Sequence, residues 1–457
     1  MRDFSYLLRT ASLLGTLTLF AVSGRAGDAA PDAFRDRVTL PVKENAHAVF
    51  ADDLNGDGHP DLLVAVAGAN SIAVYDGHGD GTFAAPRYFP VGVRPKFVVT
   101  GDFNHDGHRD IVVAEQDSNT ISVLLGNGDG TFRPRTTYSS CNGDHELVVA
   151  DFNQDGNDDV AVACHTAPYF ASVFFGNGDG TFKPRVDLHP GASPGAVTAG
   201  DFNGDGIPDL AFANRADDTV AVFLSNGDGT FKPPLVFKTG KAPHSIRAAD
   251  LNGDGIIDLV TINDDGRSAT VFAGKGDGQF ERRLDLTAAS FPKSIAIADL
   301  NGDGKPDIVI TNTTYPSCCT YEGSLVSVFM NQGDFHFAPR QDYYAGGNPF
   351  SLLVRDLNGD GKPDIATANW IDATPAQHAF SYIVYRTKLT SRTLKLVLLV
   401  LGASAGALII VLLRRSSKVA AVVCSVLVAG AIWGFAWSGS RVGMMEGDSH
   451  ISILFAR

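Results

Sequence analysis

The sequence predicts an all-β fold, a seven-bladed propeller of four-stranded antiparallel blades, closed by an N-terminal strand and followed by two C-terminal transmembrane helices. Three observations support this prediction. Each repeat holds short apolar runs separated by Gly, Asn and Asp, and two long apolar runs follow the last repeat. The repeats are spaced by 49, 49, 50, 49, 49 and 57 residues, and a fixed period indicates a repeat architecture. A nine-residue acidic motif opens at Asp53, Asp102, Asp151, Asp201, Asp250, Asp299 and Asp356.

The second repeat shows how one blade is predicted to form. It contains four β-rich runs, at residues 96–103, 110–116, 120–127 and 133–139. The Gly- and Asn-containing turns between these runs are typical of an antiparallel sheet. The inner runs are almost continuously apolar, as in strands that are covered on both faces. Sheets stacked around a central axis meet that requirement, which favours a propeller.

The two ends of the repeat region predict how the ring closes. The last repeat, which begins at Asp356, lacks the run that forms the fourth strand elsewhere. The segment "FRDRVTLPV" (34–42) parallels "FRPRTTYSS" (132–140), which contains that fourth run in the second repeat. We therefore expect the N-terminal strand to complete the last blade and to remove an exposed sheet edge. The propeller domain is accordingly expected over residues 31–386.

Both ends of the chain predict a membrane protein with its propeller on the extracytoplasmic side, periplasmic or at the cell surface. Residues 1–26 have the basic start, apolar centre and small residues of a signal peptide. The apolar runs 394–413 and 419–439 are each long enough to cross a lipid bilayer as a helix, and a short tail, 440–457, follows. Buried core helices are the alternative, which a β-repeat domain disfavours. Gly pairs with small-xxx-small spacing in both runs permit a homodimer through these helices.

The acidic motif predicts a calcium site in each repeat. Its positions 1, 3, 5 and 9 are Asp, Asn, Asp and Asp, and position 6 is Gly. Oxygen donors on alternate residues around a Gly turn suit a hard cation, and their number favours Ca²⁺ over Mg²⁺. Position 12 is never Glu, so the motif is not an EF-hand. The alternative is a turn that binds no metal, which seven copies with fixed donor spacing disfavour.

The predicted ligands of up to seven Ca²⁺ ions come from all seven motifs. They are Asp53, Asn55, Asp57, Asp61, Asp102, Asn104, Asp106, Asp110, Asp151, Asn153, Asp155, Asp159, Asp201, Asn203, Asp205, Asp209, Asp250, Asn252, Asp254, Asp258, Asp299, Asn301, Asp303, Asp307, Asp356, Asn358, Asp360 and Asp364.

The "DxNxDGxxD" loops, the "NGDGTF" turns and the period near 49 residues resemble the FG-GAP/VCBS repeats of secreted bacterial proteins. They are also similar to the calcium-binding blades of the integrin α-subunit head. The resemblance covers residues 34–386 and implies a seven-bladed propeller with Ca²⁺ between the first and second strands of each blade. It implies no particular ligand, because such propellers are recognition modules in some proteins and lyases in others. No leg domains follow Arg386, so integrin-like signalling is not implied.

The "NGDGTF" copies are interpreted as hairpin turns rather than as second metal sites, because each has one Asp. Their Phe residues are expected to pack between blades, at Phe83, Phe132, Phe182, Phe231 and Phe280.

Irregular residues gather in the loops on the side of the propeller away from the acidic motifs. Ligands usually bind in concavities that loops form on a rigid scaffold, and the alternative is ordinary loop packing. The candidate ligand-binding residues are His145, His165, Tyr169, His244, Tyr315 and Trp370. Cys141 and Cys164 lie at the same end of one predicted hairpin and are candidates for a disulfide. Adjacent Cys318 and Cys319 allow a vicinal disulfide or a reduced metal site.

Composition and motifs limit the classes of function that are expected for the chain. The formal net charge of −14 argues against a nucleic-acid partner, which calls for a basic patch. The chain has no "HExxH" or phosphate-loop motif. The leading hypothesis is a recognition or adhesion module for a protein or glycan. The alternatives are a polysaccharide-cleaving enzyme, with His145 or His165 as acid/base candidates, and a purely structural surface protein.

Overall fold

The structure is a computed structural model that describes residues 38–43, 45–313, 325–345, 348–369, 395–400, 408–413 and 450–454. All regular secondary structure in these residues is β, in 32 strands, and none of them is helical. The predicted signal peptide (1–26) and the second apolar run (419–439) lie outside the described residues.

Six blades are each built from one repeat as a four-stranded antiparallel sheet. Strand β1 (Val38–Pro41) precedes them. The first three blades contain β2 (Ala46–Asp52), β3 (Asp61–Val66), β4 (Ser71–Tyr75) and β5 (Arg87–Pro90); β6 (Pro95–Gly101), β7 (Asp110–Glu115), β8 (Thr120–Leu124) and β9 (Thr136–Ser139); and β10 (Asp144–Ala150), β11 (Asp159–Cys164), β12 (Ala171–Phe174) and β13 (Val186–Leu188).

The next three blades follow the same order. They contain β14 (Pro194–Gly200), β15 (Asp209–Asn214), β16 (Thr219–Phe223) and β17 (Leu235–Lys238); β18 (Pro243–Ala249), β19 (Asp258–Asn263), β20 (Ser268–Gly274) and β21 (Phe280–Thr287); and β22 (Phe291–Ala298), β23 (Asp307–Thr313), β24 (Leu325–Phe329) and β27 (Gln341–Tyr344). In the sixth blade, the small hairpin of β25 (Asn331–Gly333) and β26 (His336–Phe337) stands between the third and fourth strands.

The hydrophobic core lies between the blades. Every residue of the second strands β3 and β7 is buried, because these strands are covered on both sides of the sheet. One apolar cluster joins Val112 of the second blade to Leu147 of the third, and another joins Phe152 to Leu210 of the fourth. Each blade therefore supplies one side of two cores, so the blades stabilise one another.

The order of the strands gives the ring two different faces. The acidic loops and the "NGDGTF" turns lie at one end of the blades, which we call the loop face. The loops between second and third strands, such as 67–70, lie at the other end with the segments that enter the first strands, such as 91–94. We call this end the opposite face.

The last repeat does not form a blade by itself. Its strands β28 (Pro349–Arg355) and β29 (Asp364–Asn369) pair, but the next strand is β32 (His450–Leu454), and β1 forms the outer edge. Strand β28 contacts β22 on one side and β2 on the other, so this composite sheet lies between the sixth and first blades. The prediction of a seven-bladed propeller is therefore wrong, since six blades form from single repeats and the last repeat supplies half of a composite sheet.

A sequence signal for the composite sheet exists in the segment 450–454. "HISIL" parallels the third strand "TISVL" (120–124) of the second blade. The two segments also pair with the second strand of their sheet in the same register. Ser452 lies opposite Thr367, as Ser122 lies opposite Val113. The periodicity did not reveal this strand, because a long interval separates it from its repeat and it belongs to what was predicted to be a tail.

The first apolar run is not a helix in the described residues. Lys395–Val400 (β30) and Leu408–Leu413 (β31) pair as an antiparallel hairpin, so the prediction of a transmembrane helix over 394–413 is wrong. The small residues "GASAGA" (402–407) interrupt the run, and the Val and Ile around them favour strands. Among the described residues, no helix has the length and apolar character needed to span a membrane. Membrane attachment stays a prediction.

The composite sheet predicts that the chain depends on β32 for stability. Ser452 faces Thr39 on one side and Thr367 on the other, so Ser452→Pro removes a donor from the middle of the sheet. We expect a loss of roughly 1–3 kcal/mol in the free energy of unfolding, measured by urea denaturation. Ser452→Thr keeps the N–H group and is the matched control. Equal stability of both variants and the parent chain would contradict the composite sheet.

Candidate metal centres and the opposite face

The first acidic loop is held by its own side-chain oxygens. Asp53 Oδ2 accepts the Gly58 N–H at 2.9 Å, and Asp53 Oδ1 accepts the Gly56 N–H at 2.8 Å. Asn55 Oδ1 accepts the Asp57 N–H at 2.9 Å. The Asp57 N–H also donates to Asp53 Oδ1 at 3.2 Å, so the side-chain oxygens of positions 1 and 3 lie close together around one shared donor.

The same arrangement occurs in all seven motifs, including that of the composite sheet. In each, the Asp at position 1 accepts the N–H of the Gly at position 6. That Gly has a φ of +80° to +85°, which side chains with a Cβ rarely adopt. The conserved spacing of the sequence thus corresponds to one repeated backbone shape.

The Asp at position 9 has a different role from the other three. Asp61 is fully buried, with Oδ2 accepting the Leu54 N–H at 3.0 Å and Oδ1 accepting the Gly77 N–H at 2.8 Å. Leu54 belongs to the acidic loop, whereas Gly77 begins the turn between the third and fourth strands. One carboxylate therefore joins the two loops of a blade, a role that the sequence analysis missed.

Burial makes these position-9 carboxylates costly to ionise. Desolvation raises the pKa of Asp61, Asp110, Asp209 and Asp258 to about 6, although the backbone N–H donors oppose the shift. The pKa of Asp159 rises to about 7 for the same reason. Nearby loop carboxylates raise these pKa values further, and a bound cation would have the opposite effect.

The donor set of each loop fits Ca²⁺ in its chemistry. Carboxylate, amide and main-chain oxygens are the ligands that Ca²⁺ takes, and each motif carries two carboxylates and one amide at positions 1, 3 and 5. Within the described residues, no three His, Cys, Asp or Glu side chains converge closely enough to hold a metal alone. The Asn and main-chain oxygens would therefore have to complete each site.

The "NGDGTF" turns link neighbouring blades on the loop face. The Gly180 N–H of the third blade donates to the Phe103 carbonyl in the acidic loop of the second, at 2.8 Å. The ring of Phe182 lies 5.6 Å from the ring of Phe103, and Phe280 lies 5.6 Å from Phe202 in the same relation. These contacts confirm the predicted packing of the turn Phe residues between blades.

The structure places three of the predicted ligand-binding side chains on the opposite face. His165 is half-buried, with Nδ1 2.8 Å from the Gly143 carbonyl, and burial lowers its pKa. His244 Nδ1 lies 3.0 Å from the Lys293 carbonyl, while Tyr169 is 42% exposed. His165 and Tyr169 lie in one loop of the third blade, whereas His244 lies in the first strand of the fifth blade. His145 lies in β10 and its side chain is not described, and Tyr315 and Trp370 lie outside the described residues.

A cavity of about 280 Å³ lies on the opposite face between the first and second blades, and the sequence analysis missed it. It is lined by Asn45, His47, Ala67, Gly68, Asn70, Val93, Arg94, Lys96 and Asp117. A signal was present in the repeats, because His47 and Lys96 stand at the positions that His244 and Lys293 hold four blades later.

The structure joins Cys141 and Cys164 in a disulfide, with their Cα atoms 5.8 Å apart. The bond connects the segment that enters β10 to the end of β11, at the opposite face. Cys318 and Cys319 lie outside the described residues, so their pairing stays a prediction.

Comparison with known proteins identifies the repeats. A family model described as "FG-GAP-like repeat" matches residues 53–113, 102–162, 151–212, 201–261, 250–310 and 318–367. No curated protein matches the chain.

Solved structures are similar in fold at low identity. BBS1N from its complex with ARL6DN has a TM-score of 0.53 at 12% identity, covering 74% of this chain and 94% of its own. A Lactobacillus plantarum protein has a TM-score of 0.51 at 15% identity, covering 68% and 88%. A functionally unknown Desulfotomaculum acetoxidans protein has a TM-score of 0.50 at 12% identity, covering 67% and 88%. At such identities these similarities show the fold alone.

In calcium-free buffer, mutation of a buried position-9 Asp should lower the free energy of unfolding more than mutation of an exposed Asp of the same loop. Asp209→Asn places an amide NH₂ where a buried carboxylate oxygen now accepts the Phe202 or Ser225 N–H. We expect a loss of roughly 1–3 kcal/mol in the free energy of unfolding. Asp205→Asn, on the exposed side of the same loop, is the control and should cost less than about 0.5 kcal/mol. Urea denaturation measures both, and equal losses would contradict the distinction.

Proposed function

Because the chain belongs to the FG-GAP-like repeat family, we propose that it is a calcium-stabilised recognition module whose protein or glycan ligand binds the opposite face. The observation that carries this proposal is the contrast between the two faces. On the loop face, every motif repeats one set of hydrogen bonds, so it offers little that distinguishes one blade from another. On the opposite face, each blade differs, and the cavity between the first and second blades lies there.

The acidic loops support calcium as the stabilising ion. Each nine-residue motif holds one half-buried carboxylate, one amide and one exposed carboxylate, and it ends on a buried carboxylate. Their mutual repulsion destabilises the folded state when no cation is present. A cation that binds only this folded arrangement stabilises it by mass action, by about 2.7 kcal/mol per site at a free concentration 100 times the Kd.

The disulfide supports an extracytoplasmic location. Disulfides persist in oxidising compartments and are rare in reducing ones. The Cys141–Cys164 bond ties two segments of the opposite face together. In this proposal the bond helps to keep the recognition surface rigid, because a preorganised surface loses less conformational entropy when it binds a ligand.

Calcium removal is the first test of the proposal. We expect EDTA to lower the melting temperature of the intact chain by many degrees and added Ca²⁺ to restore it. Asp205→Asn should reduce the bound Ca²⁺, measured by atomic emission, by one ion per chain. Asp228→Asn, in the turn where Asp228 accepts the Thr230 N–H, is the matched control and should bind as many ions as the parent. No metal in the parent and an unchanged melting curve in EDTA would contradict the calcium role.

The binding face is the second test. The intact chain is screened against immobilised glycans and against proteins of the extracytoplasmic compartment. Tyr169→Ala on the opposite face removes an exposed aromatic side chain, the type that often anchors a ligand, and should weaken binding by roughly 1–3 kcal/mol. His59→Ala on the loop face is the control and should leave affinity unchanged. If His59→Ala weakens binding and Tyr169→Ala does not, the ligand binds the loop face and the proposed binding face is wrong.

A further inference from the structure

In two of the acidic loops, a predicted calcium ligand forms an ion pair with a positively charged residue of the same blade. In the second blade, Arg133 Nη2 lies 3.2 Å from Asp106 Oδ2. In the third blade, Lys183 Nζ lies 3.0 Å from Asp155 Oδ2. Asp106 and Asp155 both hold position 5 of their motif. A cation of the chain itself therefore contacts an oxygen that the proposed function assigns to Ca²⁺.

Both positive charges come from one position of the repeat, the residue that follows the Phe of the "NGDGTF" turn. In the first four blades this residue donates its N–H at 2.8 Å to the carbonyl of the residue that follows the third strand. The residues at this position are Ala84, Arg133, Lys183 and Lys232. The backbone is thus equivalent in these four blades, and the side chain is what differs.

The cations contact the position-5 oxygen that does not bind the backbone of the loop. In the first three loops, Oδ1 of the Asp at position 5 accepts the N–H of position 7, at 2.8 to 3.0 Å. Oδ2 is the oxygen that meets Arg133 in the second loop and Lys183 in the third. The ion pairs therefore use the oxygen that the loop itself leaves for a cation.

The first and fourth loops differ from these two. Ala84 of the first blade has no charge to place beside Asp57. Lys232 of the fourth blade is charged, but the Asp205 side chain instead accepts the Asn203 side-chain N–H at 2.8 Å and a backbone N–H at 2.9 Å. Among the described residues, no Lys or Arg forms an ion pair with Asp57 or Asp205. The four loops therefore form two groups with the same donor set.

From this comparison we propose that Arg133 and Lys183 are internal counterions that weaken Ca²⁺ binding at the second and third loops. The inference rests on the proposed function, in which the loops bind Ca²⁺, and it adds the order in which they fill. The first and fourth loops fill at low calcium concentration, and the second and third fill at higher concentration. The side chain after the turn Phe thus determines the affinity of a loop.

The geometry indicates how large the effect is. A Ca²⁺ ion that takes Asp106 Oδ2 either displaces the Arg133 guanidinium or binds beside it, and like charges a few Å apart repel. The side chains of Arg133 and Lys183 are 51% and 47% exposed, so water and salt reduce this repulsion. The exposed ion pair that is lost contributes little by itself. We therefore expect a difference of about tenfold in the dissociation constant, and not a loss of binding.

The two counterions should have the opposite effect when calcium is removed. Each acidic loop holds several carboxylates that repel one another, and a nearby positive charge reduces this repulsion. Arg133 and Lys183 therefore stabilise the calcium-free chain and oppose the calcium-bound chain. A residue with only a packing role would change stability in the same direction in both conditions, so the sign of the effect identifies a counterion.

Calcium titration of the intact chain at low ionic strength tests the proposal. Equilibrium dialysis measures the bound ions per chain and their dissociation constants. We expect Arg133→Met and Lys183→Met each to lower the dissociation constant of one site about tenfold. Lys232→Met removes the same charge at the equivalent position, where no ion pair forms, and should leave all affinities unchanged. Arg133→Lys keeps the charge and should keep the affinity of the parent.

Further variants assign the sites to their loops. Asp57→Asn should remove a tightly bound ion, whereas Asp106→Asn should remove a weakly bound one. Ala84→Arg introduces into the first blade the residue that the second blade has, so it should weaken the first site about tenfold. This variant adds a side chain and removes none, so it keeps the test valid where Arg133→Met or Lys183→Met does not fold.

Melting curves provide a second measurement. In EDTA, Arg133→Met and Lys183→Met should melt at a lower temperature than the parent. With added Ca²⁺, both should reach their full melting temperature at a lower calcium concentration than the parent.

The outcomes separate this inference from the proposed function. If the parent binds Ca²⁺ and neither Arg133→Met nor Lys183→Met changes an affinity, the inference is wrong and the calcium role stands. If Lys232→Met tightens binding as much as Lys183→Met, net charge and not the ion pair determines affinity, which also overturns the inference. If the parent binds no Ca²⁺, the inference and the calcium role fail together.

Discussion

The buried Asp at the end of each acidic loop is the interaction on which the regularity of the propeller depends. In the six blades its two oxygens accept N–H groups from two loops of the same blade, as Asp61 does from Leu54 and Gly77. An ionised carboxylate is expensive to bury, so it is tolerated only where donors surround it. Each of the six blades must therefore keep both loops in one geometry, and this requirement explains why the acidic motif and the turn after the third strand recur together in these blades.

The fixed loops also determine how blades contact one another. Because the turn is held to the acidic loop within a blade, it can hydrogen-bond to the acidic loop of the preceding blade, as Gly180 does to Phe103. The same bond runs from the Gly130 N–H to the Leu54 carbonyl and from the Gly278 N–H to the Phe202 carbonyl, so these neighbouring blades are connected on the loop face. No comparable requirement governs the opposite face, where residues at one repeat position range from Ala67 and Gln116 to His165, Arg215 and Asp264.

The sequence predicted what the repeats share and failed where they differ. The acidic motif, the turns and the continuous apolar runs predicted the strands and the location of the loops, because each is a local pattern that occurs many times. The composite sheet depends on pairing between His450–Leu454 and strands that are distant in the sequence, so no local pattern required it. The apolar run 394–413 has enough length for a helix, and length does not distinguish a helix from two paired β-branched segments.

The cavity shows why a candidate site in a repeat protein is hard to predict from prominent residues. His165, Tyr169 and His244 stood out by residue type, yet none of them lines the cavity. The cavity is lined instead by Ala67 and Gly68, two residues whose small size leaves space and which carry no functional group. Their effect is recognised only by comparison with the fifth blade, where Asp264 occupies the position of Ala67 and contacts Lys293. In a scaffold that repeats one backbone, the loss of a side chain at one blade opens space that the equivalent side chain fills at another, so such a cavity is recognised by comparing repeats rather than by the type of any single residue.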